Sequence, residues 1–216
     1  MTRTSESNSE TTIDAIVDAV SRLVGVLPIV KISFRRVASE AGVGLGTVTY
    51  YFPTRERLLE AALEHYYRNN RVLRDSLIAA LQSSQPLSLE QRLSRIARTV
   101  YLDFYDRRHW LALEQFVLHN QGGHSAVRRE YWLGPSLDLA ASALEPLIDL
   151  SASDIRIAIQ SLIYSAVRFA TMQREELAAI LGVPASEVAD GPEPRVEEHF
   201  GRLAVGMFCR VKTEDG

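Results

Sequence analysis

Cysteine is nearly absent: Cys209 is the single one in 216 residues, so no internal disulfide can form, and no CxxC or Cys/His pair with zinc spacing occurs. That excludes a disulfide scaffold and a cysteine-held metal site. Long apolar runs are missing too. The opening residues, MTRTSESNSETT, lack the apolar core of a signal peptide. The longest charge-free apolar-rich stretch of the C-terminal half, Ile157 to Val167, is too short to cross a bilayer. The expectation is a soluble, cytoplasmic protein. No alternation of apolar and polar residues is long enough for a strand, which points to an all-α fold. Apolar residues at 46% and charged ones at 24% exclude a disordered or low-complexity chain, and the length suits one large domain or two unequal ones.

A strong charge of either sign is also lacking, since the net charge is -3. The charge is unevenly spread, however. From Arg22 to Arg57 there are six basic residues (Arg22, Lys31, Arg35, Arg36, Arg55, Arg57) against Glu40 and Glu56, a local +4 that leaves -7 for the remainder. A basic island on an acidic body suits a phosphate-binding module joined to a partner or sensor domain.

Helical periods organise the chain. Thr11 and Thr12 are candidate caps of a first helix with the apolar stripe Ile13, Ile16, Val17, Val20, Leu23 and Val24, ended by Pro28. Ser33 caps a short second helix that Gly42 stops, and a third runs from about Gly46 to Phe52 before Pro53. Thr54 caps a longer fourth helix whose leucine stripe reaches Leu73, Leu77 and Leu81, up to the break at 83–86. Further helices are expected over Ser88–Arg107, His109–Asn120, Ser125–Leu150 (kinked or split at Pro135), Ser153–Leu181 and Arg195–Val211.

The segment Ser33–Phe52, SFRRVASEAGVGLGTVTYYF, carries the functional signal. Two short helices cross closely when the first offers a small contact residue, the turn accepts positive φ, and the second supplies an aliphatic residue to fill the gap. Ala38, Gly42 and Val48 meet those conditions, which is helix-turn-helix spacing. Phe34, Val37, Val48 and Phe52 then face Ile16, Val20 and Leu23, leaving Leu45, Gly46, Thr47, Thr49 and Tyr50 outward. Gly44 and Gly46 let backbone approach phosphate, and Thr47 can touch a thymine methyl or a base edge. Tyr50 and Tyr51 offer hydroxyls to phosphate, with one of the two packing inward. Arg55 can hold the next phosphate, and Arg35 is the candidate for bidentate contact with guanine.

These residues resemble the tetracycline-repressor (TetR) family of bacterial transcription regulators. The likeness runs from about Ile13 to Leu63, chiefly VASEAGV from Val37, Gly46 to Val48, Tyr51 and Phe52, and TRERLL from Thr54. It implies a DNA-binding head over 1–57, with 1–10 disordered, and a helical ligand-binding and dimerisation body over 58–216. It also implies a homodimer on a pseudo-palindromic operator and repression relieved by an unknown small molecule. Carried over by position, the DNA contacts fall on Arg35, Leu45, Gly46, Thr47, Tyr50, Tyr51 and Arg55. Two departures stand out: Pro28 occupies a place where the family often has glycine, and Thr49 replaces a usual tyrosine.

The body has its own signals. The helix from Ser153 is apolar nearly all round, and the last helix mixes Val196, Phe200, Leu203 and Met207 with Gly201, Ala204 and Gly206. A dimer through the helices near 153–181 and 195–211 follows. Aromatic residues cluster between Tyr101 and Tyr164: Tyr101, Phe104, Tyr105, Trp110, Phe116, Tyr131, Trp132 and Tyr164. With Gln115, His119 and Arg168 as polar groups, they outline a candidate pocket for an apolar or aromatic ligand.

Catalysis has little support. Asp103, Asp106 and His109 are spaced by threes, but such steps drift about 60° each on a helix and do not converge on one ion. GxSxG, Walker A and HExxH motifs are absent. The reading is a regulator rather than an enzyme, with no cofactor.

Overall fold

The computed structural model describes residues 3–69, 86–124 and 128–209, with side chains from Thr11 onward except those of Asn69, Tyr131 and Trp132. All regular structure among the described residues is helical: α1 (Arg3–Val24), α2 (Phe34–Ala41), α3 (Leu45–Tyr51), α4 (Arg55–Asn69), α5 (Leu89–Asp106), α6 (Arg108–Gln121), α7 (Gly134–Leu144), α8 (Ala152–Ala170), α9 (Arg174–Leu181) and α10 (Pro194–Phe208). The chain divides into two compact units, Met1–Arg71 with His109–Ser125, and Val72–Arg108 with Ala126–Gly216. As packing units these do not follow the expected 57/58 boundary, because α4 and most of α6 group with the first three helices.

The first unit is built around the α1 stripe. Ile16, Val17, Val20, Leu23 and Val24 are buried with Val37 and Val48, with Leu58, Leu59 and Ala62 of α4, and with Leu113 and Val117 of α6. The helix begins at Arg3, about two turns before the expected Thr11 and Thr12 caps. Residues 3–10, expected to be disordered, are therefore helical. That stretch is polar throughout and carries no apolar period to announce it. The other boundaries follow their caps. The Ser33 hydroxyl accepts from the Arg36 amide, and Thr54 Oγ1 accepts from the Arg57 amide at 3.2 Å. Phe52 is extended at φ -126° and ψ 95° ahead of Pro53. Leu73, Leu77, Leu81 and most of the expected break at 83–86 lie outside the described residues.

The second unit centres on α5 and α10. Ser88 and Gln91 form a reciprocal capping box at the start of α5. The two helices meet at Gly201, where an added Cβ would stand 2.5 Å from Ser94 Oγ and 3.2 Å from Arg98 Cδ. Tyr101 stacks on Phe200 at 5.5 Å, and Phe169 meets the same ring edge-on. Pro135 lies in the first turn of α7, directly after a π-helical turn at Arg129–Leu133. The expected long segment is thus split there, as a residue without an N–H requires.

The expected single helix from Ser153 to Leu181 is two. α8 ends at Ala170, where the Thr171 hydroxyl bonds the Val167 carbonyl at 2.8 Å, and α9 starts after Gln173. A threonine that satisfies the last carbonyls competes with continuation of the ladder. No glycine or proline marks the break in the sequence.

Glu193 ties the start of α10 to this core. Its residue is 2% exposed, its carboxylate accepts from Arg195 at 2.6 Å and from the Ala189 amide at 3.1 Å, and its own amide donates to the buried Tyr101 hydroxyl at 3.2 Å. The Arg195 hydrogen bond, against the opposing effect of burial, lowers the carboxyl pKa from 4.5 to about 2. Because the folded value lies below the unfolded one, this contribution is complete above about pH 4.5 and is lost as the pH falls toward 2. Thermal melts from pH 5 to pH 2 should therefore fall more steeply for the wild type than for Glu193→Gln; parallel curves would remove Glu193 from the acid sensitivity.

Candidate nucleic-acid interface

The site starts with a turn. Gly42 is left-handed at φ 68° and ψ 28°, and the Val43 amide returns to the Ala38 carbonyl at 3.0 Å. A side chain at 42 would be strained in that conformation, so glycine closes α2 here. The chain can then reverse at once, Gly44 caps α3 from an extended conformation, and α2 and α3 pack together. Ala38 and Val48, both buried, fit the close crossing expected from their sizes. Phe34 and Tyr51 are partly buried against the same core.

With Val48 and Phe52 turned inward, the helical period puts Leu45, Gly46, Thr49 and Tyr50 on the outer stripe of α3, and all four are exposed. Tyr50 is 80% exposed and meets Tyr51 edge-on at 5.1 Å. Of the two tyrosines, Tyr51 is therefore the one that packs inward. Thr47 is half-buried at the flank, and Gly44 is exposed. The Thr49 hydroxyl turns back onto the Leu45 and Gly46 carbonyls at 3.2 and 3.1 Å.

Gly46 differs from Gly201 in that no neighbouring element among the described residues crowds it. It lies within α3, and a Cβ built on it meets no atom within 4 Å. An exposed glycine inside a helix costs about 1 kcal/mol relative to alanine, and no internal packing offsets that cost. At Gly201, by contrast, packing against Ser94 explains the residue.

The six basic residues of the island divide into two sets. Arg22 pairs with Glu40 at 2.5 Å, clasping α1 to α2, and Arg57 pairs with the buried Glu60 at 2.6 Å. Arg55 has a structural task that the sequence did not announce. Its Nε donates to the Ile32 carbonyl at 2.8 Å, an Nη donates to the Ile29 carbonyl, and its guanidinium lies 5.2 Å from the Phe116 ring centroid. It thereby fastens the Ile29–Lys31 turn, which leads into α2, to the start of α4 and to α6. Lys31, Arg35 and Arg36 are exposed, and none forms an ion pair among the described residues. Sequence spacing gave no signal for the Arg55 bonds, because the carbonyls it reaches are 23 and 26 residues away.

The expected ligand residues are divided between the two units. Trp110, Gln115 and His119 belong to the first unit and Tyr101, Phe104, Tyr131, Tyr164 and Arg168 to the second. Trp110 stacks on Tyr66 at 4.2 Å, while Gln115 and His119 are exposed. Tyr101 is a core residue at 1% exposure, and its burial raises the phenol pKa. Phe104 packs partly buried against the second core. Tyr164 is 51% exposed, Arg168 pairs with Glu176, and the side chain of Tyr131 lies outside the described set.

The second unit does carry an open groove of about 510 Å³ between α5 and α10. It is lined by Glu90, Gln91, Ser94, Arg95, Arg98, Thr99, Leu102, Glu197 and Val205, none of them an expected ligand residue. Asp103 of the triplet spacing pairs with Arg107, and no group of metal-ligating side chains converges among the described residues. No described helix is long and apolar enough to cross a membrane.

Replacing Arg55 with alanine should lower stability by about 1–3 kcal/mol, because two backbone carbonyls lose their donor. Denaturant unfolding measures this, and an unchanged midpoint would return Arg55 to the role of a free surface cation.

No family model matches the chain, and no curated protein matches it in sequence. Solved structures do. The multidrug binding protein EbrR complexed with imidazole is 23% identical over 94% of this chain and 98% of that one, at a TM-score of 0.50. A TetR family transcription regulator from Marinobacter aquaeolei VT8 is 17% identical over 94% and 98%, also at 0.50. A TetR-family transcriptional regulator from Haemophilus influenzae RD is 15% identical over 92% and 97%, again at 0.50. At these identities the likeness is one of architecture: the chain has the all-helical fold of the TetR-family regulators, a helix-turn-helix followed by a larger set of helices.

Proposed function

We propose that the protein is a sequence-specific DNA-binding transcriptional regulator of the TetR type, in which α3 enters the major groove. The observation that carries this reading is the outer face of α3: an exposed stripe of Leu45, Gly46, Thr49 and Tyr50 containing a helical glycine that no internal packing needs. A surface kept bare at a cost in stability suits close approach by a ligand backbone. The exposed cations Lys31, Arg35 and Arg36, which form no ion pair among the described residues, supply the phosphate attraction that the net charge conceals. The contact set on this reading is Arg35, Gly44, Leu45, Gly46, Thr47, Thr49, Tyr50, Tyr51 and Arg55, the last of which also holds the turn before α2. On this reading the functional division is a head over 1–57 and a body over 58–216.

The DNA reading is tested with a labelled duplex at increasing salt. Log affinity should fall steeply and linearly with log salt. Gly46→Ala should stabilise the fold by up to about 1 kcal/mol while weakening specific binding. Absence of binding at low salt would defeat the reading, and unweakened binding by Gly46→Ala would remove Gly46 from the contact.

The body is proposed to dimerise through α8, with α10 beside it. Ile157, at 65% exposure, and Tyr164, at 51%, lie two turns apart on one face of α8. The exposed positions of α10 are Pro194, Arg195, Glu198, His199, Arg202 and Gly206, so the large apolar side chains of the contact fall on α8. A two-fold axis lets two heads reach successive major grooves about 34 Å apart on a pseudo-palindromic site. Repression relieved by a small molecule completes the reading, since EbrR is described as a multidrug binding protein and a ligand can release DNA by favouring the packing that mismatches the operator. Ile157→Asp, a change at an exposed site, should give folded monomers in sedimentation; a persisting dimer would move the interface elsewhere.

A further inference from the structure

We propose that Thr49 is a specificity-determining residue that reads the 5-methyl group of a thymine through its own γ-methyl. The inference rests on the DNA-binding reading above and goes beyond it by assigning one base and one chemistry to one side chain.

The argument begins with where the hydroxyl goes. A threonine hydroxyl has a single proton. That of Thr49 is shared between the carbonyls of Leu45 at 3.2 Å and Gly46 at 3.1 Å. Both acceptors lie on the preceding turn, so one χ1 rotamer serves both bonds, and a β-branched side chain in a helix has few alternatives. The donor is thus directed at the helix's own backbone. The γ-methyl is left in a fixed orientation on an exposed position of α3.

Thr49 is exposed, so that methyl is not committed to the buried core of the head. Its neighbour one turn earlier on the stripe, Gly46, has no side chain, and the space its Cβ would take is open to 4 Å. A base edge can therefore approach Thr49 on the Gly46 side, while Leu45 stands on the other side of that turn. In the major groove thymine alone presents a methyl group, beside an O4 acceptor. A hydroxyl used as a donor to guanine or to thymine O4 would have to leave both backbone carbonyls, whereas methyl-to-methyl contact leaves the observed rotamer untouched.

The test uses the full-length protein to select duplexes from a random pool, then replaces each thymine of the selected site in turn with deoxyuridine. That exchange deletes the 5-methyl and keeps the pairing edge and O4. Wild type is expected to lose about fourfold in affinity at one thymine per half-site, or about 0.8 kcal/mol. Thr49→Val keeps the methyl and drops the hydroxyl; it should bind within twofold of wild type and retain the deoxyuridine sensitivity. Thr49→Ser keeps the hydroxyl and drops the methyl; it should bind the thymine site about fourfold more weakly and lose the sensitivity.

The proposal is overturned if no thymine is sensitive to its methyl, if Thr49→Ser retains the sensitivity, or if Thr49→Val loses binding while Thr49→Ser keeps it. A pool that yields no enriched sequence defeats the sequence-specific reading itself, and is distinguishable because no thymine then exists to probe. Thr49 is exposed, so both variants should unfold at the wild-type midpoint. That measurement separates a lost contact from a lost fold.

Discussion

The close crossing of α2 over α3 is the constraint on which the rest of the head depends. Gly42 in the left-handed conformation lets the chain reverse within a few residues of the end of α2, and Ala38 and Val48 are buried where the helices pack. Once Val48 and Phe52 are committed inward, the helical period leaves α3 no choice about its outer stripe. The surface offered to a partner is thus a consequence of how the core is closed. α1 supplies the apolar floor, α4 and α6 its flanks, and Arg55 ties the turn before α2 to both.

Electrostatics in the head serve two ends. Arg22, Arg55 and Arg57 are spent on a clasp, a strut and a helix pair, and the surface ion pairs among these contribute little stability individually. Lys31, Arg35 and Arg36 remain toward solvent. A local excess of charge is therefore an upper bound on what a phosphate backbone would meet, and only side-chain geometry separates the cations that build the head from those that can reach outward. The two glycines Gly46 and Gly201 differ sterically: a neighbouring helix fills the space beside Gly201, while the space beside Gly46 is open.

What could be read from the sequence was whatever a local rule governs. Ser33, Gly42, Pro53, Thr54 and Ser88 each act on backbone groups within a few residues, and the helices they bound lie within about two residues of the expected places. Apolar period likewise identified the α1 stripe and the inward residues of α2 and α3. The start of α1 was hidden because its first turns carry no apolar period. The break at Thr171 was hidden because a side-chain hydroxyl, not glycine or proline, takes up the last carbonyls of α8. The bonds of Arg55 were hidden because its partners are remote in sequence. The aromatic cluster shows a related limit of local reading: neighbours along the chain, such as Phe104 and Trp110, pack into different cores.

The proposed groove contact of α3 is tested most directly by following backbone amide resonances of the full-length protein while a selected duplex is added. The account predicts shifts concentrated at Ser33 to Arg36 and Gly44 to Tyr51, fading as salt is raised. Shifts confined to the second unit, or none at low ionic strength, would contradict it.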